Sequence, residues 1–201
     1  MSTFDERARD WDTPERQARA EAVAAAIGDA VRLSPNTRAI DLGAGTGLLG
    51  MALAPHVGEV VLAEPSTGML EVANEKLSAG GPANVRAVRF DLLADPIPGD
   101  PFDLVVSLLV LHHLEDTAAA LAAIAGLLRP GGRLALADLD TEDGTFHSAE
   151  AEGIHHLGFD RDHLGGLARA AGFTDVEFRT ATTIEDDGRR YPVFLLLATR
   201  S

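Results

Sequence analysis

The chain has 201 residues, 46% of them hydrophobic, which is enough for one substantial core and predicts a single domain over 1–201. Seventeen basic residues against 31 acidic ones give a net charge of −14, a field that repels phosphate backbones and argues against nucleic acid as a partner. There is no cysteine, which removes disulfides, thiolate metal sites and cysteine nucleophiles; the charged N-terminus and the lack of any apolar run near the ~20 residues that cross a bilayer predict a soluble, cytoplasmic protein with no membrane span.

The N-terminal segment, 1–31, reads as helical from Pro14 onward, with Ala22, Val23, Ala26, Ile27 and Ala30 recurring on one face. "RAIDL" at 38–42 is a strand and leads into a helix over about 47–55. "EVVLAE" at 59–64 is the next strand, followed by a helix over 66–78 and the turn "AGGPAN". Strands follow at 85–91 and at 102–108, the second apolar enough to be covered on both faces. A helix over 116–128 runs into "RPGGR" before a strand at 134–139, and another helix spans 160–171. The last strands, 174–184 and 191–199, are joined by the charged turn "EDDGRR". This order predicts an α/β fold: a doubly wound, Rossmann-like, seven-stranded and mostly parallel sheet closed by a C-terminal antiparallel hairpin.

In such sheets ligands bind beyond the carboxyl ends of the strands, near the point where strand order reverses. Gly43, Gly45 and Gly47 lie there, between strand and helix, where missing side chains let backbone approach a ligand. The spacing is GxGxG; a dinucleotide fingerprint would place glycine at 48, where this chain has Leu48. Glu64 ends the second strand, where a carboxylate accepts from both hydroxyls of a ribose, and Asp91 ends the third, within reach of an exocyclic amino group.

Taken together, "IDLGAGTG", "LAEPSTGML", "VRFDLLA", "FDLVVSLLVLHHL" and "LLRPGGRLALAD" resemble, in order, the motifs of the class I S-adenosylmethionine-dependent methyltransferases, particularly the small group similar to the ubiquinone and menaquinone methyltransferases. The resemblance covers nearly the whole chain. It implies S-adenosyl-L-methionine as cofactor, with Asp41 and the backbone at Gly43 and Gly45 meeting its amino-acid end and Glu64 holding the ribose. It further implies Pro65, Ser66 and Met69 beside the adenine, Asp91 and Leu92 at its amino edge, and Ser107 and Leu108 on the floor of the site. Met69 is equally readable as ordinary core. Trp11, the sole tryptophan, is placed by the resemblance over the cofactor, and is equally readable as an anchor for the first helix.

A sulfonium already makes its methyl group electrophilic, so the protein must mainly align a nucleophile and exclude water. An acceptor that carries a proton gains from a general base, and His112 and His113, just past the fourth strand, are the best-placed candidates; a structural role at the start of the next helix is the competing reading. His147, His155 and His156 lie in the segment 140–159, too long for a simple turn, which predicts a lid that helps bind the acceptor. Adjacent histidines point apart and no helical pair at four-residue spacing appears, so no metal site is expected. The chain lacks the Asn/Asp-Pro-Pro-aromatic signature of amino-adenine methyltransferases and the thiolates of arsenite methylation, leaving a small organic acceptor methylated on oxygen, nitrogen or carbon. Two alternatives stand beside this enzyme: a non-catalytic S-adenosylmethionine-binding protein and an NAD-dependent oxidoreductase.

Overall fold

Strand and helix alternate as the apolar patterning requires. A computed structural model describes residues 3–147 and 153–201. A short helix α1 (Thr3–Arg7) and a 3-10 turn over Ala8–Asp10 precede α2 (Pro14–Ala30), whose N-terminus is capped by the Thr13 hydroxyl accepting the Arg16 N–H. The strands β1 (Arg38–Leu42), β2 (Glu59–Glu64), β3 (Val85–Arg89), β4 (Phe102–Leu108), β5 (Leu128–Leu139), β6 (Phe173–Asp186) and β7 (Arg189–Arg200) form one sheet in the order β3-β2-β1-β4-β5-β7-β6. β1 to β5 run parallel, while β7 is antiparallel to both β5 and β6. The remaining helices are α3 (Leu48–Leu53), α4 (Thr67–Ser78), α5 (Thr117–Leu127) and α6 (Arg161–Ala170). The doubly wound, Rossmann-like expectation is borne out.

The two faces of the sheet follow from the two-residue period of a strand. Ile40 and Leu42 pack with Leu121 and Ile124 of α5 and Leu164 of α6, whereas Ala39 packs with Val23 and Ile27 of α2 and Leu49 and Leu53 of α3. Val60 and Leu62 of β2 meet Ala73 of α4 on the second face. Ile27 and Ile40 are fully buried, each contributing about 1.5–3 kcal/mol by leaving water. With helices on both faces, the central strands need apolar residues in both directions, which is why they read as near-continuous apolar runs. Among the described residues no helix is long and apolar enough to cross a membrane.

Three boundaries differ from expectation. β5 begins at Leu128, directly on the end of α5, and its register with β4 jumps from Phe102↔Leu128 to Leu104↔Arg133, so the Arg129–Gly132 stretch loops out of the ladder as an irregularity. α3 ends at Leu53 and tightens into a 3-10 turn over Ala54–His56, because Pro55 has no N–H to continue the helix. β3 stops at Arg89, and Asp91 instead starts a turn in which its Oδ1 accepts the Leu93 N–H at 3.0 Å.

Candidate functional site

β1 lies between β2 and β4, so the chain leaves its carboxyl end on one side and returns on the other, opening a crevice at that edge. The loop filling it turns on Gly43, Gly45 and Gly47, whose φ angles of 62°, 54° and 88° are all in the left-handed region that side chains resist. The loop is tied to the neighbouring strand by Gly43 N–H and Ala44 N–H, both donated to Ala63 O at 2.8 and 3.2 Å. A Cβ at Gly43 would lie 2.6 Å from a methyl of Val110, and one at Gly45 would lie 3.7 Å from Trp11 Nε1 and 4.0 Å from Met69 Sδ. Trp11 and Met69 therefore both border the glycine loop.

Glu64 is 7% exposed at the end of β2; its Oε2 accepts the Gly45 N–H and its Oε1 the Ser66 N–H, each at 2.8 Å. These two bonds aim the carboxylate over the loop. Burial pushes its carboxyl up, the charge of Asp5 adds to this, and the two backbone donors oppose it. Asp41, 2% exposed, turns to the start of α3, where its Oδ2 accepts the Gly50 N–H at 2.9 Å. Burial, reinforced by the Glu64 charge, pushes Asp41 up to about 7 despite that bond. Ser107 is buried and donates to Leu42 O at 2.9 Å, joining the ends of β4 and β1, while Leu108 is half-buried on the α2–α3 face. Pro65 and Asp91 are exposed and Leu92 half-buried along the same edge.

The N-terminal segment closes over this edge. Asp5 Oδ1 accepts the Ser66 hydroxyl at 2.6 Å and the Gly68 N–H at 2.9 Å, placing a carboxylate at the positive end of α4. Gly68 permits the approach, since a Cβ there would lie 2.8 Å from the Asp5 backbone. Asp12 accepts from the Thr46 hydroxyl and pairs with Lys76 at 2.7 Å. Arg16 stacks on the Trp11 ring at 4.0 Å, and Phe4 meets Trp11 at 5.8 Å and His113 at 5.3 Å, both edge-on.

Past β4 the backbone is strained: Leu109 takes φ 57°, and its N–H is donated to Ala137 O at 2.8 Å. A 3-10 turn over Leu111–His113 follows. His112 is 1% exposed and its Nδ1 lies 2.7 Å from Oδ1 of Asp138, a fully buried residue of β5; its Nε2 is buried without a partner. The His113 ring sits 4.1 Å from that of His112, so the adjacent imidazoles tilt together rather than pointing apart. His113 Nδ1 donates to Gly153 O at 2.8 Å, and burial, then the neighbouring His112, pushes it down to about 4.

The segment 140–159 has a pinned neck. Thr141 N–H donates to Phe159 O, Glu142 N–H to Leu157 O, and Asp140 holds Arg161 through two bonds at 2.6 and 2.7 Å. Residues 148–152 of this predicted lid lie outside the described residues. His147 reaches the other histidines, 5.0 Å from the His112 ring and 6.0 Å from His113, and burial lowers its pKa. His155 and His156 are not brought into that group. Both donate backbone N–H to His112 O; the His155 side chain is exposed, and His156 Nε2 faces Leu114 O and Thr117 Oγ1 at 3.0 and 3.2 Å. Sequence reasoning weighed Asp138 only as a metal ligand and missed its pairing with His112, 26 residues away, and it missed Asp5 and Gly68, whose partners lie 61 and 63 residues away.

A methyltransferase domain family matches residues 40–134. An uncharacterised methyltransferase of Schizosaccharomyces pombe is 31% identical over 152 residues, covering 69% of this chain and 54% of the relative. The ubiquinone/menaquinone biosynthesis C-methyltransferase of Vibrio vulnificus is 38% identical over 104 residues, covering 50% of this chain and 40% of the relative. The chain thus spans about half the length of the curated relatives it matches. The solved structure of an Aquifex aeolicus SAM-dependent methyltransferase superposes with a TM-score of 0.75 at 18% identity, covering 98% of each chain. With the glycine loop, the acid-tipped second strand and the β3-β2-β1-β4-β5-β7-β6 sheet in one arrangement, residues 40–134 carry a methyltransferase domain and the chain has the fold of the S-adenosylmethionine-dependent methyltransferases.

Proposed function

We propose that this chain transfers the methyl group of S-adenosyl-L-methionine to an oxygen, nitrogen or carbon of a small organic acceptor. The observation that carries the reading is the pair of buried carboxylates, Asp41 and Glu64, which accept from the backbone N–H groups of Gly50, Gly45 and Ser66. Two such groups, pushed up by burial, are satisfied by a ligand that brings positive charge and hydroxyl donors together. S-adenosylmethionine does both, through its ammonium and sulfonium and its ribose.

In this reading Glu64 accepts the ribose hydroxyls, the backbone at Gly43 and Gly45 meets the amino-acid end, Asp41 supplies charge beneath it, and Ser107 and Leu108 form the floor. Pro65, Ser66 and Met69 border the adenine, while Asp91 and Leu92 take its amino edge. Bound there, the cofactor supplies an electrophilic methyl group. The chain aligns the acceptor and keeps water out, with Trp11 and the segment 140–159 as covers, His147 on the acceptor side and the Leu111–His113 turn beside the reacting atoms. The exposed His155 and inward-turned His156 serve better as supports of that turn than as acceptor ligands.

Isothermal titration with S-adenosylmethionine, S-adenosylhomocysteine and NAD tests the cofactor, and a metabolite screen for methyl transfer tests the activity. Binding of the first two with methylation of a screened compound is expected. Binding of NAD alone overturns the reading, and cofactor binding without any transferred methyl favours a non-catalytic binder.

A further inference from the structure

The Asp138–His112 pair is the most deeply buried polar contact near the site, and packing does not account for it. Asp138 is 0% exposed, and both its oxygens face backbone donors: Oδ1 accepts the Leu139 N–H at 2.8 Å and Oδ2 the His112 N–H at 3.3 Å. The carboxylate is thus an acceptor throughout, so the His112 Nδ1 at 2.7 Å must be the donor. That places the ring's lone pair on Nε2, the atom that is buried without a partner. Leaving a polar atom in that state is destabilising, and a core that required only volume would hold leucine here. His147 Nε2, on the neighbouring ring, is also buried without a partner. His113 is committed elsewhere, its Nδ1–H donated to Gly153 O. The strained Leu109, one turn ahead, brings the His112 backbone onto Asp138.

We infer that Asp138 is a positioning residue that fixes the proton of His112 on Nδ1, so that His112 Nε2 takes the proton of an acceptor whose nucleophilic oxygen or nitrogen carries hydrogen. The inference rests on the proposed function and narrows it, since a carbon or tertiary-amine nucleophile without a labile proton has no use for this arrangement. In the step, the acceptor's X–H bond gives its proton to Nε2 while a lone pair on X forms the bond to the methyl carbon. The methyl–sulfur bond breaks with its electron pair going to sulfur. The positive charge lost there reappears on the imidazolium, beside the Asp138 carboxylate that stabilises it.

The test uses the full chain, the isosteric Asp138→Asn variant and diethyl pyrocarbonate, which acylates unprotonated imidazole nitrogen, with peptide mapping by mass spectrometry. Exposed His155 and His163 serve as internal references. Acylation of His112 in the cofactor-free protein, slowed at least about tenfold in Asp138→Asn while calorimetric S-adenosylmethionine affinity is retained, supports the inference. His112 left unmodified while His155 and His163 react, or equal rates in both proteins, overturns it. Long-range proton–nitrogen spectra of the wild-type protein decide independently of how the variant folds: a proton on His112 Nδ1 supports the assignment and one on Nε2 overturns it. If the wild-type protein does not bind S-adenosylmethionine, the proposed function itself falls, and this step with it, whatever the tautomer.

Discussion

The charge of Glu64 at the tip of β2 helps hold the Asp41 carboxyl, 2% exposed at the tip of β1, up at about 7. The folded protein therefore keeps a proton on Asp41 that the unfolded chain has lost between the ordinary carboxylate range and neutrality. Stability from this group is present at acid pH and is lost as pH rises through about 7. Scanning calorimetry should show Asp41→Asn with a higher Tm than wild type at pH 8 and a smaller difference at pH 5.5. A cationic cofactor favours the ionised form, so wild-type affinity should strengthen through the same range, with the Glu64 and Asp5 carboxyls as the other acids at this edge, and Asp41→Asn should flatten the rise. Parallel affinity curves for the two proteins would remove Asp41 from the coupling.

Glu64→Gln keeps an oxygen for one backbone donor but loses the charge that accepts the ribose hydroxyls. S-adenosylmethionine affinity should fall by the ~1.5–3 kcal/mol of hydrogen bonds to a charged group. Alanine is a poorer test, because it also releases the Gly45 and Ser66 N–H groups. Unchanged titration enthalpy and affinity would take Glu64 out of the site.

Asp5→Ala removes the carboxylate from the start of α4 and should cost about 1 kcal/mol there. The sole tryptophan, Trp11, sits in the same segment and reports its movement. Stopped-flow fluorescence should show faster cofactor entry and exit in the variant. An emission that does not respond to cofactor in either protein means the segment stays where it is.

Gly158 closes the neck of the 140–159 segment with φ 70°, and a Cβ there would lie 2.1 Å from Asp140 O. Gly158→Ala should open the Thr141–Phe159 and Glu142–Leu157 pairing. Hydrogen exchange should rise over 140–147 and 153–159, with turnover impaired more than cofactor binding. Exchange identical to wild type would show that the neck tolerates the methyl group and does not hinge on this glycine.

With an acceptor in hand, His112→Gln should lower kcat by about 10²–10⁴-fold at unchanged cofactor affinity. His113→Gln should do less, since His113 is held near pKa 4, is a weak base and has its Nδ1 occupied by Gly153 O. Equal and small losses at both positions would leave proximity and water exclusion as the sources of rate.

The glycine loop and Glu64 were legible because a strand, a tight turn and a helix are adjacent in the chain, so their chemistry is written in consecutive residues. The succession of strands and helices was legible for the same reason, through alternation of period. What could not be read were directions and distant partners. Nothing local says that His156 turns to Leu114 O while His112 turns to Asp138, because those choices depend on where β5 and the Leu111–His113 turn meet. The landing of α1 left one trace: Gly68 in the first turn of α4, right after its Ser66 cap, is a poor helix former with no local purpose. Asp41 was placed correctly near the strand tip, yet nothing local says that its carboxylate turns to the Gly50 N–H in the first turn of α3.

Phe4 touches His113 while Trp11, seven residues on, borders Gly45, so one short stretch of chain lies across both halves of the crevice. In the proposed function this stretch covers both the cofactor and the acceptor, so exchange of spent for fresh cofactor is expected to lift the cover from the acceptor as well. Where an acceptor has several positions to modify, each round then releases it to solution, and singly methylated product should accumulate before any doubly methylated species appears.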